Sequence, residues 1–206
     1  MALQQTRALD RHRRILDAAA QVFSRRGYRD TSVDEIAGAS GTSKGGIYFH
    51  FPNKEAIFLA LLDRTAARLR ENIESALAAQ EDPVARADAA LLTVLRTFGK
   101  HRALARLFMV EALGAGREFH RRMAEIRGEF ATLIQRQLDE AVRQEIIKPI
   151  DTEVAARAWF GALNEVITGW VLSGRAEHLE DKYEALRPIL MHSVGISDQP
   201  RRPNRQ

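Results

Sequence analysis

Apolar positions recur along this chain every three to four residues, the spacing of one face of an α-helix, and no convincing stretch alternates with the period of two that marks a strand. Ile15, Ala19, Val22 and Phe23 draw the first stripe, over residues 10–26, and Gly27 follows as a helix-ending residue. Ser32 and Glu35 then stand at the spacing of a capping box ahead of Ile36 and Ala37, which predicts a short second helix ending near Ser40-Gly41. A third short helix is predicted from Thr42 or Ser43 to about His50. Phe51-Pro52 halts it, and Asn53 caps a fourth. Helix, tight glycine-containing turn, helix is the spacing of a helix-turn-helix.

Beyond Lys54 the stripes lengthen. Ile57, Leu61, Leu62, Ala66, Leu69, Ile73 and Leu77 share a helix that ends before Asp82-Pro83, a cap followed by proline at the first helical position. Further helices are predicted at 83–99, 102–113, 117–144, 152–173 (capped by Asp151) and 179–194, with a break at Gly114-Ala115-Gly116. Pro188 falls inside the last of these, where it removes a backbone hydrogen bond at a cost of about 3 kcal/mol, so a kink or a shorter helix is expected. The predicted fold is all-α with about nine helices: a three-helix helix-turn-helix domain over 1–53 and a helical bundle over 54–196. The tail 197–206 has no apolar anchor and is expected to be disordered.

Composition narrows the classes of function. The 206 residues include no cysteine, which removes disulfides, thiolate metal sites and cysteine nucleophiles together. The six histidines are scattered without ligand spacing, so neither a metal nor another cofactor is expected. No apolar run approaches the roughly 18 residues of a membrane span. The first residues, MALQQTRALDRHRR, are polar and basic where a signal peptide is apolar, and a cytoplasmic protein with no membrane partner is expected. Residues 1–55 carry nine Lys and Arg against six Asp and Glu, residues 56–196 nineteen against twenty, and the tail three against one. Positive charge thus gathers at the two ends, most densely at Arg7, Arg11, Arg13 and Arg14. A polyanion partner and a merely solvated helix end both account for it.

Residues 41–45, GTSKG, match the G-x-S-x-G pattern of a hydrolase elbow. That elbow needs a strand entering the turn. Here VDEIAGAS is helical, and no acid-base pattern follows, so Ser43 is not assigned as a nucleophile and no enzymatic activity is expected. The stretch offers instead a short helix beginning with small residues, flanked by Lys44, Tyr48, His50 and Lys54. Such groups meet phosphate oxygens and fix the register of a protein on a duplex.

The segment RILDAAAQVFSRRGYRDTSVDEIAGASGTSKGGIYFHFPNKEAIFLALL resembles the DNA-binding domain of the tetracycline repressor (TetR) family. The matching signs are the alanines before Phe23, Gly27-Tyr28, Thr31-Ser32-Val33, Ile36-Ala37, Ser43-Lys44-Gly45, Tyr48-x-His50-Phe51 and Asn53-Lys54-Glu55. The resemblance implies an all-helical homodimer whose first three helices bind a double-stranded DNA operator and whose remaining helices bind a small molecule and the sister subunit. It further implies that Thr31 or Ser32, Tyr48, His50 and Lys54 meet the DNA backbone, while Thr42, Ser43, Lys44, Gly45, Gly46 and Phe49 face the major groove. Lys44 is the candidate for a guanine edge. Gly46 departs from the family, which more often carries a side chain there. Ile36, Ile47 and Phe51 are expected in the core, whereas Arg11 and Arg14 suit either phosphate or solvent.

For the effector, the candidate contacts are Leu62, Leu91, Leu95, Phe98, Arg106, Phe108, Glu111, Phe130, Trp159, Phe160, Leu163 and Asn164, each also explicable as ordinary packing. Residues 155–174, AARAWFGALNEVITGWVLSG, are similar to the corresponding helix of the fatty-acid-degradation repressors of the family, which implies a lipophilic effector with acyl-CoA as the candidate. Arg102, Arg106 or Arg157 would then meet its phosphates. The sister subunit is expected on 152–173 and 179–194, burying Leu163, Ile167, Val171, Leu186 and Leu190. A ligand-independent DNA-binding or protein-bridging dimer is the alternative.

Overall fold

The computed structural model describes residues 2–110 and 116–197. Among these are nine α-helices, one 3-10 turn and no strand. The helices are α1 (Ala2–Arg26), α2 (Val33–Ser40), α3 (Lys44–His50), α4 (Lys54–Ala78), α5 (Pro83–Lys100), α6 (Arg102–Met109), α7 (Arg117–Arg143), α8 (Thr152–Ser173) and α9 (Tyr183–Ser193). The 3-10 turn spans Leu179–Lys182. α1 starts at Ala2 rather than at residue 10, because Ala2-Leu3-Gln4-Gln5 are strong helix formers even where no apolar stripe marks them. No helix of the described residues is long and apolar enough to cross a membrane. Residues 198–206, most of the predicted tail, lie outside the described part, as do 111–115.

The chain forms two compact units, one drawn from Met1–Leu69 and His101–Ile126, the other from Arg70–Lys100 and Arg127–Gln206. In the first, local chemistry sets each helix end. Gly27 closes α1 in the left-handed region (φ 79°), its N–H donating to the Phe23 carbonyl at 2.7 Å. Ser32 caps α2 with both halves of the capping box in place. Gly41 ends α2 at φ 60° and turns the chain into α3, a conformation that side-chain-bearing residues resist. Asn53 accepts the Ala56 amide at 2.8 Å and opens α4. Ile15, Leu16, Ala19, Val22, Phe23, Ile36, Ala37, Ile47 and Phe51 are all buried and form the core between α1, α2 and α3.

An aromatic cluster continues that core. Phe58 of α4 lies edge-on to Phe23 of α1 at 5.3 Å, tilted against Tyr28 at 4.6 Å and Phe108 of α6 at 5.6 Å, and stacked on Phe119 of α7 at 5.3 Å. One side chain thereby ties four helices. Arg64 of α4 donates to Asp17 of α1, and Arg122 of α7 to Asp63 of α4, closing the rim.

In the second unit, Asp82 caps α5 and Asp151 caps α8 through the Ala85 and Val154 amides. Trp170 is buried and donates to the Glu177 carbonyl at 2.8 Å, pinning the segment after α8. Arg187 of α9 reaches Asp88 of α5 with two hydrogen bonds, at 2.7 and 3.1 Å. The helix predicted over 179–194 is divided: a 3-10 turn precedes α9, which continues through Pro188 from Tyr183 to Ser193. Burial of Leu186, Leu190 and Met191, about 1.5–3 kcal/mol each, together with the Arg187–Asp88 pair, exceeds the cost of the proline.

Burial also corrects the predicted sister-subunit contacts. Ile167, Val171, Leu186 and Leu190 point into the core of their own protomer, with Leu163 half-buried. The exposed apolar face lies elsewhere on the same helices. Val154, Ala158 and Gly161 recur at helical spacing along α8, and Leu172 lies on the same side beyond the exposed Glu165, with Val154 and Leu172 each 60% exposed, and Ile189 of α9 is 64% exposed.

Candidate nucleic-acid interface

α3 is held from behind and open in front. Its rear side chain, Ile47, is fully buried, while Lys44, Gly45, Tyr48 and Phe49 face solvent, Phe49 at 82% exposure. Phe49 meets the His50 ring edge-on at 5.3 Å, and beyond that contact it and Tyr48 stand exposed on a seven-residue helix among the described residues.

The start of α3 shows what Ser43 does. Its hydroxyl accepts the Gly46 amide at 3.1 Å, an N-cap, with α2 and the Gly41 turn in front of it rather than a strand. Gly46 has an internal reason as well. A Cβ there would sit 2.8 Å from the Thr42 methyl and 3.2 Å from the Ser43 hydroxyl, so the glycine makes room for the cap. Thr42 is half-buried, its hydroxyl without a hydrogen-bond partner among the described residues, and it packs behind the helix start. Gly45 differs: a Cβ there would meet nothing within 4 Å. The fold does not require that glycine.

Two of the residues expected to meet the DNA backbone are committed inward. Thr31 is buried, and its hydroxyl donates to the Gly27 carbonyl at 2.7 Å. The Lys54 ammonium donates to the carbonyls of Tyr28, Arg29 and Thr31 at 2.8, 3.1 and 2.9 Å and lies 4.6 Å from the centre of the Tyr28 ring. An ammonium has three donors, and all three are used. Lys54 therefore clamps the loop between α1 and α2 and supports the surface from behind. Ser32 is exposed, although its hydroxyl serves the α2 cap.

His50 closes α3, half-buried, 6.2 Å from the ring of His12 on α1, and His12 packs against Phe51 at 4.8 Å. Burial, then the neighbouring His50 and Arg64, push the His12 imidazole below its ordinary range, which favours the neutral ring in this contact. Arg11, Arg13 and Arg14 are exposed on α1, with Arg13 paired to Asp10 at 3.4 Å.

One residue of this surface lay outside the sequence reading. Asp34, on the first turn of α2, accepts from the Lys44 ammonium at 2.8 Å, and both side chains are more than half exposed. Asp34 holds the Lys44 ammonium above the usual lysine range. The sequence signal was faint: ten positions separate two ordinary surface charges, and only the turn at Gly41 brings them together.

The chain matches the model of the bacterial regulatory proteins of the tetR family over residues 15–61, which contain α2, α3 and the Ser43 cap, and that of the tetracyclin repressor-like C-terminal domain over residues 80–185, more than half of its length. It belongs to the TetR family. A TetR-family protein is a ligand-responsive repressor with a helix-turn-helix DNA-binding domain and no catalytic role, so the G-x-S-x-G match is coincidental. The fatty acid metabolism regulator protein of Bacillus subtilis (strain 168) is 28% identical over 189 residues, spanning 89% of this chain and 95% of that protein. Among solved structures, the fatty acid degradation regulator FadR from Bacillus halodurans superposes with a TM-score of 0.83 at 24% identity, covering 91% of this chain and 97% of that one. FadR from Bacillus subtilis in complex with stearoyl-CoA gives 0.80 at 23%, covering 88% and 97%. AibR in complex with isovaleryl coenzyme A and operator DNA gives 0.67 at 21%, covering 87% and 97%.

The effector candidates of this TetR protein fall in both units. Leu62, Arg106 and Phe108 belong to the first, where Leu62 and Phe108 are buried and Phe108 packs on Phe58. The second holds the others, apart from Glu111, which lies outside the described residues. Leu91 and Leu95 are buried there, while Phe98, Phe130, Phe160, Leu163 and Asn164 are half-buried. Trp159 packs against the cluster of Leu138, Ala141, Ile147, Ala156 and Val194 and donates to Ser193 at 3.0 Å. Arg157 is paired with Glu153 on the exposed side of α8.

Proposed function

We propose that this protein is a dimeric repressor that grips a near-palindromic operator with two copies of α3 and releases it when a lipophilic effector, foremost a long-chain fatty acyl-CoA, binds. The observation that carries the reading is the front of α3: Lys44, Gly45, Tyr48 and Phe49 exposed over a fully buried Ile47. In a helix-turn-helix this face enters the major groove. Lys44 has the donors for guanine O6 and N7, and Phe49 the apolar surface for a thymine methyl. Ser32, Thr42, Ser43, Gly46 and His50 surround the contact. DNA-binding and effector-binding roles divide near residue 53.

Dimerisation falls to the exposed α8–α9 face. Small residues at Ala158 and Gly161 let two helices approach within about 8 Å, flanked by Val154, Leu172 and Ile189. To meet successive major grooves on one face of the duplex, the two α3 helices of such a dimer need to stand roughly 34–36 Å apart, one turn of B-DNA. The half-burial of Phe98, Phe130, Phe160 and Leu163 leaves apolar surface for an acyl chain. The names of the similar proteins, fatty acid regulators and coenzyme A complexes, support the same chemistry. α4 is the lever, since it starts at the Lys54 clamp and contributes to both units. The effector must favour the non-operator state of the dimer, because equal affinity for both states shifts nothing.

The test is a titration of the DNA complex. Affinity for a duplex enriched by the protein from a random pool falls steeply as salt rises, with a log-log slope of about −0.9 per phosphate neutralised. Oleoyl-CoA or stearoyl-CoA then displaces that duplex. A flat salt response contradicts the operator reading; salt-dependent binding that neither acyl-CoA disturbs contradicts only the effector.

A further inference from the structure

We propose that Asp34 is a specificity-determining residue of the DNA-binding surface: paired with Lys44, it makes the start of α3 read a whole G·C base pair while disfavouring contacts to phosphate alone.

The geometry is that of two opposite groups held side by side. The Lys44 ammonium and a carboxylate oxygen of Asp34 lie 2.8 Å apart, bridging the first turn of α3 to the first turn of α2, with both side chains more than half exposed. A lone lysine at this position is attracted to any phosphate and to any guanine. With Asp34 beside it, its charge is already matched, and moving the pair toward a phosphate brings a carboxylate toward an anion. Only an edge that offers acceptors and a donor together satisfies both side chains.

Both base pairs carry acceptors and a donor in the major groove, but in different order. In G·C the adjacent acceptors N7 and O6 of guanine are followed by the N4 donor of cytosine, whereas in A·T the N6 donor stands between the acceptors N7 and O4, so only G·C gives the ammonium two neighbouring acceptors with a donor for the carboxylate beside them. The O6 and N4 groups are themselves hydrogen-bonded, about 2.9 Å apart, which matches the separation of the Lys44 and Asp34 atoms. Lys44 then donates to guanine while Asp34 accepts from the cytosine of the same pair. Glu35, the neighbouring carboxylate, is not available for this, because it completes the α2 capping box and pairs with Arg26. Asp34 can act this way only if α3 enters the major groove as proposed above.

The experiment uses the full chain and the duplex that wild-type protein enriches from a random pool. Affinities are measured for that duplex, for each single-base-pair variant of one half-site and for a scrambled duplex, over a salt series, with wild type, Asp34→Asn and Asp34→Ser. Both substitutions lie on an exposed turn, and circular dichroism confirms folding. Expected is a gain of several-fold on scrambled DNA, a salt slope steeper by about one phosphate, and a loss of roughly tenfold discrimination at one G·C pair per half-site. Lys44→Ala loses discrimination at that same pair. The inference is overturned if both Asp34 variants keep the wild-type salt slope and discrimination on an enriched duplex. If wild type enriches no duplex at all, the operator reading itself fails, and Asp34 with it.

Discussion

Phe58→Ala is expected to lower the free energy of unfolding by about 3–5 kcal/mol, the range for removing a large buried aromatic side chain. Phe58 is fully buried and meets Phe23, Tyr28, Phe108 and Phe119, so the cavity would open between α1, α4, α6 and α7 together. Those helices cannot all collapse into it at once, which places the effect toward the upper end. Urea denaturation measures it. Phe58→Leu, which keeps most of the volume, should recover at least half of the loss. A change below about 1 kcal/mol for the alanine variant would show that the ring cluster is not a structural hub.

The double variant Leu172→Glu, Ile189→Glu is expected to produce a folded monomer and to weaken operator binding by a hundredfold or more. Both side chains are well over half exposed in the protomer, so charge at these positions disturbs no core contact. In a dimer each would bury an apolar side chain, and two carboxylates per protomer would instead be forced together without partners. Operator affinity follows because the second recognition helix adds its contacts as an intramolecular event, worth two to four orders of magnitude when geometry permits both to engage. Sedimentation equilibrium and DNA titration report the two effects separately. A variant that still sediments as a dimer would place the sister subunit on another face.

Much of this fold was legible in the residues. Helix ends were written in local chemistry: the Ser32–Glu35 box, Asn53, Asp82 and Asp151 all cap as their spacing suggests, because a cap needs only side chain and backbone a few positions apart. The start of α1 was missed since propensity, not periodicity, extends it. The last helix was drawn too long, because a 3-10 turn at Leu179–Lys182 carries the same apolar stripe into a different backbone.

The site was less legible, and the reason is that periodicity shows a stripe without showing what covers it. Ile167, Val171, Leu186 and Leu190 read as an interface, yet they pack within the protomer, and the outer face carries the weaker pattern of Val154, Ala158, Gly161 and Leu172. Lys54 read as a phosphate ligand because it is a lysine beside a helix-turn-helix. Its three carbonyl partners lie 23 to 26 residues away in the chain, beyond any local rule. Gly46 read as facing DNA, and a side chain there would also crowd Thr42 and Ser43, while at Gly45 a side chain would meet nothing within 4 Å among the described residues.

That last contrast supplies the most direct test. If the front of α3 closes onto DNA, Gly45→Ala should move stability and binding in opposite directions. Thermal denaturation should show the variant more stable by about 0.5 kcal/mol, since the added methyl restricts the unfolded chain and meets open space in the folded one. Titration of the duplex enriched by wild-type protein, at the same salt, should show affinity reduced about tenfold or more, since the methyl occupies space the groove wall needs. A variant that is stabilised and binds the duplex as tightly as wild type would contradict the account, because α3 would then have no duplex against its exposed face.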